Sequence, residues 1–224
     1  MASSEPSQYR YKIILMGDSG VGKTSLFKRI QMGRFDVNQS AVQGADLYTY
    51  STTIDDDQIN VSLWDTGGGG GARFRTTTFY RNADGAFLVY SLEDIYTFDN
   101  LQEWIDEASH HIVDMDSFQW ALIGNKCDLG FSSIIGLERV KSLCDKLQTK
   151  VFHKVSAKTG LDVMNAFDGL VSAIHKSRHL NQQSHAPPQI CDIIRLNTID
   201  TDDLVSNIGK QPTDQKKPRK RSCC

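Results

Sequence analysis

The chain has no apolar run approaching the roughly 20 residues that a membrane-spanning helix needs. Its opening, MASSEPSQYR, also lacks the apolar stretch of a signal peptide. Cysteine is sparse. Cys127, Cys144, Cys191, Cys223 and Cys224 show no CxxC or Cys/His spacing, which speaks against a zinc site and against a disulfide framework. An excess of positive charge is missing too: 25 Lys and Arg against 27 Asp and Glu leave a formal net charge of −2. Nothing in that balance points to nucleic acid as a partner. The expectation is a reduced, soluble, intracellular protein.

What is present is order along the chain. YKIILM (Tyr11 to Met16) is strand-like, meets a glycine loop, and is followed by the amphipathic KTSLFKRIQ, closed by Gly33. LYTYSTTI and INVSLW flank Asp55, Asp56 and Asp57 and predict two strands joined by an acidic turn. Then come strand-like GAFLVYS, helix-like TFDNLQEWIDEASHHI, strand-like QWALIG, helix-like LERVKSLCDKLQ, strand-like KVFHKV and helix-like DVMNAFDGLVSAIHK. The later strand runs carry few polar interruptions, as expected when helices cover both faces of a parallel sheet. The alternation predicts an α/β domain with a doubly wound, mostly parallel sheet over residues 9–177. Residues 1–8 read as a flexible N-terminus. Residues 178–224 read as a flexible tail: SRHLNQQSHAPPQ resembles a linker, and ICDIIRL is a brief apolar island.

The sharpest motif is GDSGVGKTS, Gly17 to Ser25, which fits G-x-x-x-x-G-K-[ST] between a predicted strand and a predicted helix. Backbone N–H groups of Ser19, Gly20, Val21, Gly22 and the start of the following helix can wrap phosphates, helped by the helix's partial positive charge. Lys23 would reach the β- and γ-phosphates. The hydroxyl of Thr24 would hold Mg²⁺, with Ser25 completing the motif. NKCD, Asn125 to Asp128, follows a strand-like run. The Asp128 carboxylate can accept both N–H donors of a guanine edge, a pair that adenine lacks. Ser156, Ala157 and Lys158 form a weaker S-A-K signal after another strand-like run. His110 and His111 at a helix end read as surface residues without chemistry.

In the order P-loop, W-D-T-x-G, N-K-x-D, S-A-K, these motifs make the chain resemble a Ras-superfamily GTPase. LWDT, FYRNADGAFLVYSLED and the terminal Cys223-Cys224 pair make it resemble the Rab family most. The resemblance covers about residues 9–177. It implies GTP and GDP as ligands with Mg²⁺, Asp65 near the metal through water, Lys126 as part of the base site, and Phe35 stacking on the guanine. It also implies an effector-facing triad of Trp64, Phe79 and Leu47, with Leu47 where an aromatic is usual. The family's partners follow: effectors, an exchange factor, an activating protein, and prenylation escort and extraction proteins, around a monomer.

Two departures concern the γ-phosphate. Seven residues past Phe35, Val42 stands where the family has a Mg²⁺-ligating threonine. Valine keeps a backbone N–H but has no hydroxyl, a loss on the scale of about 1.5–3 kcal/mol for a bond to a charged partner. In WDTGGGGGARF, Gly68 supplies the expected backbone N–H for the γ-phosphate, and Gly69 replaces the glutamine that orients attacking water. Ordering the five glycines Gly67 to Gly71 would cost up to ~2–5 kcal/mol more than ordering alanines. Poor intrinsic hydrolysis is expected, which an activating protein could relieve by inserting its own arginine and glutamine.

The tail KKPRKRSCC has five basic residues among Lys216 to Arg221. Basic residues attract anionic lipid by up to ~1 kcal/mol each, and two lipid chains anchor stably where one does not. The family resemblance implies geranylgeranyl groups on Cys223 and Cys224. The protein is then expected on the cytosolic face of intracellular membranes. Two functions fit: a membrane-anchored GTP/GDP switch in vesicle traffic with slow hydrolysis, or a pseudo-GTPase binding module that holds guanine nucleotide without turnover. A P-loop kinase or ATPase is disfavoured by Asn125 to Asp128.

Overall fold

A computed structural model describes residues 8–36, 46–66, 77–130 and 135–184. Among these, six strands form one sheet: β1 (Gln8–Met16), β2 (Asp46–Ile54), β3 (Asp57–Asp65), β4 (Gly85–Ser91), β5 (Gln119–Asn125) and β6 (Val151–Lys154). Their order is β2-β3-β1-β4-β5-β6. Only β2 is antiparallel to its neighbour; the other pairings are parallel. This is the doubly wound α/β arrangement expected from the alternating pattern. All seven residues of β4 are buried, because helices cover both sides of a central parallel strand.

The β2–β3 hairpin turns on Asp55 and Asp56, at φ 50° and 69°. Two successive left-handed residues suit the right-handed twist of the paired strands, and aspartate tolerates that conformation. The turn places Ile54 opposite Asp57 at the start of β3.

Helices α1 (Lys23–Met32), α2 (Thr77–Tyr80), α3 (Ile95–Asp99), α4 (Leu101–His111), α5 (Leu137–Lys146) and α6 (Val163–Ser184) complete the fold. On one face, Phe27, Phe167, Leu170 and Ile174 from α1 and α6 pack on β1, β3 and β4. On the other, Phe98, Leu101, Ile105 and Val140 from α3, α4 and α5 pack on Ile14, Leu88 and Leu122. α1 ends at Gly33, whose φ of 66° lets its N–H return to the Arg29 carbonyl.

Two helical runs differ from the sequence reading. The segment expected as one helix from Thr97 is two, beginning at Ile95 because the Asp94 carboxylate accepts the Tyr96 N–H at 3.0 Å. The division falls at Asn100, which keeps helical backbone angles while its side chain is drawn to Asp18. α6 runs on through Ser184, over residues that looked like linker. Its polar side chains there are contacts: Arg178 pairs with Asp84, and His179 lies 3.1 Å from Asp57.

The chain divides into a compact unit, Met1–Gln182, and a second segment from Gln183. No helix among the described residues is long and apolar enough to cross a membrane. Val42, the Gly67 to Gly71 run with Gly68 and Gly69, the ICDIIRL island, the basic run and Cys223 and Cys224 lie outside the described residues.

Candidate nucleotide site

β1 ends at Met16, and the chain turns through Gly17–Gly22 into α1. Two of these glycines are required by space as well as by backbone angle. A Cβ on Gly17, at φ 135°, would lie 2.1 Å from the Val89 carbonyl oxygen. One on Gly22, at φ 97°, would lie 2.3 Å from Asn125 Nδ2. Gly20, at φ 80°, has no described atom within 4 Å of where a Cβ would stand. Ser19 and Gly20 are exposed there, while Val21 is buried beneath them.

Lys23 is 4% exposed. Its Nζ donates to the Gly17 and Asp18 carbonyls, each at 2.7 Å. Burial pushes the ammonium below its ordinary pKa, and the charges of Asp65 and Asp18 oppose that shift. A buried cation folded across a ring of backbone amides is complementary to phosphate oxygens.

The Thr24 hydroxyl donates to Asp65 Oδ2 at 2.5 Å. Asp65 is fully buried, opposite Leu15 in the β1–β3 register. The Thr66 hydroxyl donates to the Leu15 carbonyl at 2.9 Å and fixes that strand end. A hydroxyl and a carboxylate oxygen side by side at the loop's exit form the hard donor set that suits Mg²⁺. The residues present fit the ion.

The N-K-x-D and S-A-K segments are tied to the glycine loop by one side chain. Asn125, 2% exposed, donates from Nδ2 to the Val21 carbonyl at 2.8 Å and accepts the Ala157 N–H at Oδ1, 3.1 Å. Lys126 is left-handed, at φ 69°, and pairs with Glu93. Asp128 sits on the short 3-10 turn Cys127–Leu129. One of its oxygens accepts the Ser156 hydroxyl at 2.6 Å, and Lys158 Nζ is 3.9 Å from the other. Ser156 also accepts the Thr159 N–H at 3.0 Å. P-loop, N-K-x-D and S-A-K therefore meet at one end of the sheet.

Sequence reasoning missed two residues that hold this site. Arg29 on α1 donates to the carbonyls of Ala157 at 2.9 Å, Lys158 at 2.5 Å and Gly33 at 2.6 Å. Asp18 accepts from Asn100 at 2.7 Å and from Trp104 Nε1 at 2.8 Å, anchoring the P-loop to α4. In sequence, Arg29 is only one more polar position on an amphipathic helix, and Asp18 is a variable position of the motif. Phe35 is half-buried just past Gly33.

The three effector-triad candidates adjoin one another. Leu47 faces Trp64 across the β2–β3 ladder, and the Trp64 and Phe79 rings meet at 6.2 Å and 63°. Leu47 is half exposed, whereas Trp64 and Phe79 are half-buried. Lys12 Nζ lies 5.1 Å over the Trp64 ring. Trp64 thus packs partly on the core, and Phe79 packs against its ring.

A family model described as Ras family matches residues 12–176. Ras-related protein Rab-8B of Dictyostelium discoideum is 35% identical over 192 residues, 85% of this chain and 93% of the relative. Ras-related protein RABA5c of Arabidopsis thaliana is 34% identical over 181 residues, covering 80% of this chain and 83% of the relative. Ras-related protein Rab11B of Nicotiana tabacum is 34% identical over 168 residues, 75% and 76% of the two chains. With the P-loop, N-K-x-D and S-A-K segments assembled at one sheet end, these matches show that the chain belongs to the Ras family as a Rab-type small GTPase.

Proposed function

We propose that this chain is a slow GTP/GDP switch that works on the cytosolic face of an intracellular membrane, loaded and unloaded with partner help. The observation that carries the reading is Asn125, whose side chain joins the phosphate loop at Val21 to the base-recognition loop at Ala157. A nucleotide bridging the two would be held by one rigid unit. In this reading Lys23 donates to the β- and γ-phosphates, Ser19 to Ser25 offer backbone N–H groups, and Asp128 with Asn125 selects guanine. Thr24 and Asp65 would hold Mg²⁺, which when bound neutralises phosphate charge.

The slow rate rests on residues. Val42 has no hydroxyl, and Gly69 has no group with which to orient water, so the γ-phosphate side lacks two of the family's fixed contacts. Gly68 retains its backbone N–H for that phosphate. Leu47, Trp64 and Phe79 form the surface that effectors would read. Cys223 and Cys224, prenylated behind the basic run Lys216 to Arg221, would supply the anchor.

Val42 and Gly69 also favour a second reading, a pseudo-GTPase that keeps its nucleotide intact. Single-turnover conversion of protein-bound GTP to GDP with Mg²⁺, beside Gly69→Gln, separates the two. Slow, measurable conversion that speeds up in the variant supports the switch. Intact GTP after many hours, with a Rab-type activating protein present, establishes the binding module. A protein that binds ATP as well as GTP overturns both.

A further inference from the structure

At the end of the sheet remote from the phosphate loop, Asp57, His175 and His179 converge, and nucleotide binding uses none of them. One ligand atom from each falls in a group spanning no more than 4.8 Å. Asp57 Oδ2 lies 3.5 Å from His175 Nε2 and 3.1 Å from His179 Nε2. Ligands bonded tetrahedrally to zinc at 2.0–2.1 Å stand about 3.3 Å apart, so both separations match edges of that tetrahedron.

The local structure holds the three in place. His175 and His179 are four residues apart on α6 and so share one face of the helix. Asp57 is fixed by the left-handed pair Asp55 and Asp56 at the hairpin turn. The Tyr9 ring walls the cluster, 5.1 Å from the His175 ring and 5.3 Å from the His179 ring.

His175 carries the argument further. It is 1% exposed, and its Nε2 is shut from solvent without a hydrogen-bond partner. Buried polar atoms are rarely left so, because each costs the desolvation of the group. Its other nitrogen, Nδ1, lies 2.8 Å from the Tyr11 hydroxyl. If Nδ1–H is donated to that oxygen, Nε2 presents a lone pair toward Asp57 and His179. Metal-bound histidines are oriented by such an outer partner.

We propose that Asp57, His175 and His179 bind one divalent transition-metal ion of the zinc class, fastening the β2–β3 turn to α6. Two imidazoles and one carboxylate select such an ion over Mg²⁺, which prefers all-oxygen ligands. Three protein ligands leave a fourth position for water. The site is separate from the nucleotide metal: Asp57 and Asp65 are the two ends of β3, about 26 Å apart at ~3.3 Å per residue.

The test is titration of the full chain, loaded with GDP and Mg²⁺ and free of transition metals, first with Co²⁺ and then with Zn²⁺. Visible absorption and calorimetry follow the binding. The expected result is one equivalent of tetrahedral Co²⁺ without a thiolate charge-transfer band, displaced by Zn²⁺, and a melting temperature raised by Zn²⁺. His179→Gln and Asp57→Asn should each weaken binding by ~10-fold or more, and Tyr11→Phe by about 10-fold. All three should retain GDP, which reports that the domain is folded. The proposal is overturned by the absence of stoichiometric binding. It is equally overturned by affinity that His179→Gln and Asp57→Asn leave unchanged, or by a thiolate band as the only cobalt signal, which would place the ion on cysteines.

Discussion

Asn125 Nδ2 donates to the Val21 carbonyl at 2.8 Å, so the end of β5 braces the glycine loop that leads into α1. The same side chain accepts the Ala157 N–H, and Gly22 lies so close that a Cβ there would overlap the amide. In the proposed nucleotide site, this one buried amide would couple affinity for phosphate to affinity for base.

Asn125→Ala should therefore do more than loosen the base. It removes two buried bonds and orphans a carbonyl and an N–H, a loss of about 2–3 kcal/mol. The expected outcome is GDP release ~30- to 150-fold faster, read by displacement of a fluorescent GDP analogue. A release rate within twofold of the parent would contradict the bridging role.

Thr24→Ala tests the metal pair. Its hydroxyl lies 2.5 Å from the buried Asp65 carboxylate, and a bond to a charged group is worth about 1.5–3 kcal/mol. The Mg²⁺ concentration needed for half-maximal GDP retention should rise ~10-fold or more. An unchanged Mg²⁺ requirement would remove Thr24 from the metal site.

Arg29→Lys probes a residue that the motifs do not mark. The guanidinium fork reaches three carbonyls, those of Ala157, Lys158 and Gly33. A lysine ammonium cannot reproduce that planar geometry. A stability loss of about 1–2 kcal/mol in urea unfolding is expected, together with faster GDP release. Stability equal to the parent would show the fork to be dispensable.

Asp162 gives a pH dependence with a defined sign. Its carboxylate lies 2.5 Å from His153 Nδ1 and accepts from Asn165 at 2.7 Å, and these bonds hold it below the ordinary aspartate pKa. Its contribution is present above the unfolded value near ~3.9 and is lost as pH falls through the lower folded value. For a partly exposed pair the size is about 0.5–1 kcal/mol. Urea unfolding of Asp162→Asn should show that deficit at pH 7 and a much smaller one near pH 3. A deficit independent of pH would assign the effect to packing.

Much of the fold was legible from periodicity. The glycine at position 33 stopped α1, and the apolar runs at 85–91 and 119–124 became buried central strands. The helix boundaries that were missed depend on partners distant in the chain. Asn100 divides a helical run because Asp18 takes its side chain, and α6 outlasts its apolar pattern because Asp84 and Asp57 hold Arg178 and His179. A helix that ends in polar contacts reads as linker in sequence, since hydropathy registers burial and not pairing.

By itself the sequence determined the chemistry on offer: the glycine loop around Lys23, the oxygen donors of Thr24 and Asp65, the Asp128 carboxylate proposed to select guanine, and the missing side chains at Val42 and Gly69. Those follow because fixed residue types at fixed short spacings act through local backbone geometry. The tertiary structure alone decided how the pieces are joined. It set Asn125 between Val21 and Ala157 and Arg29 beneath the S-A-K loop. It also brought Asp57 to the His175 and His179 pair, a meeting that no spacing could announce. Such relations are made where strands and helices cross, and separation along the chain carries no record of them.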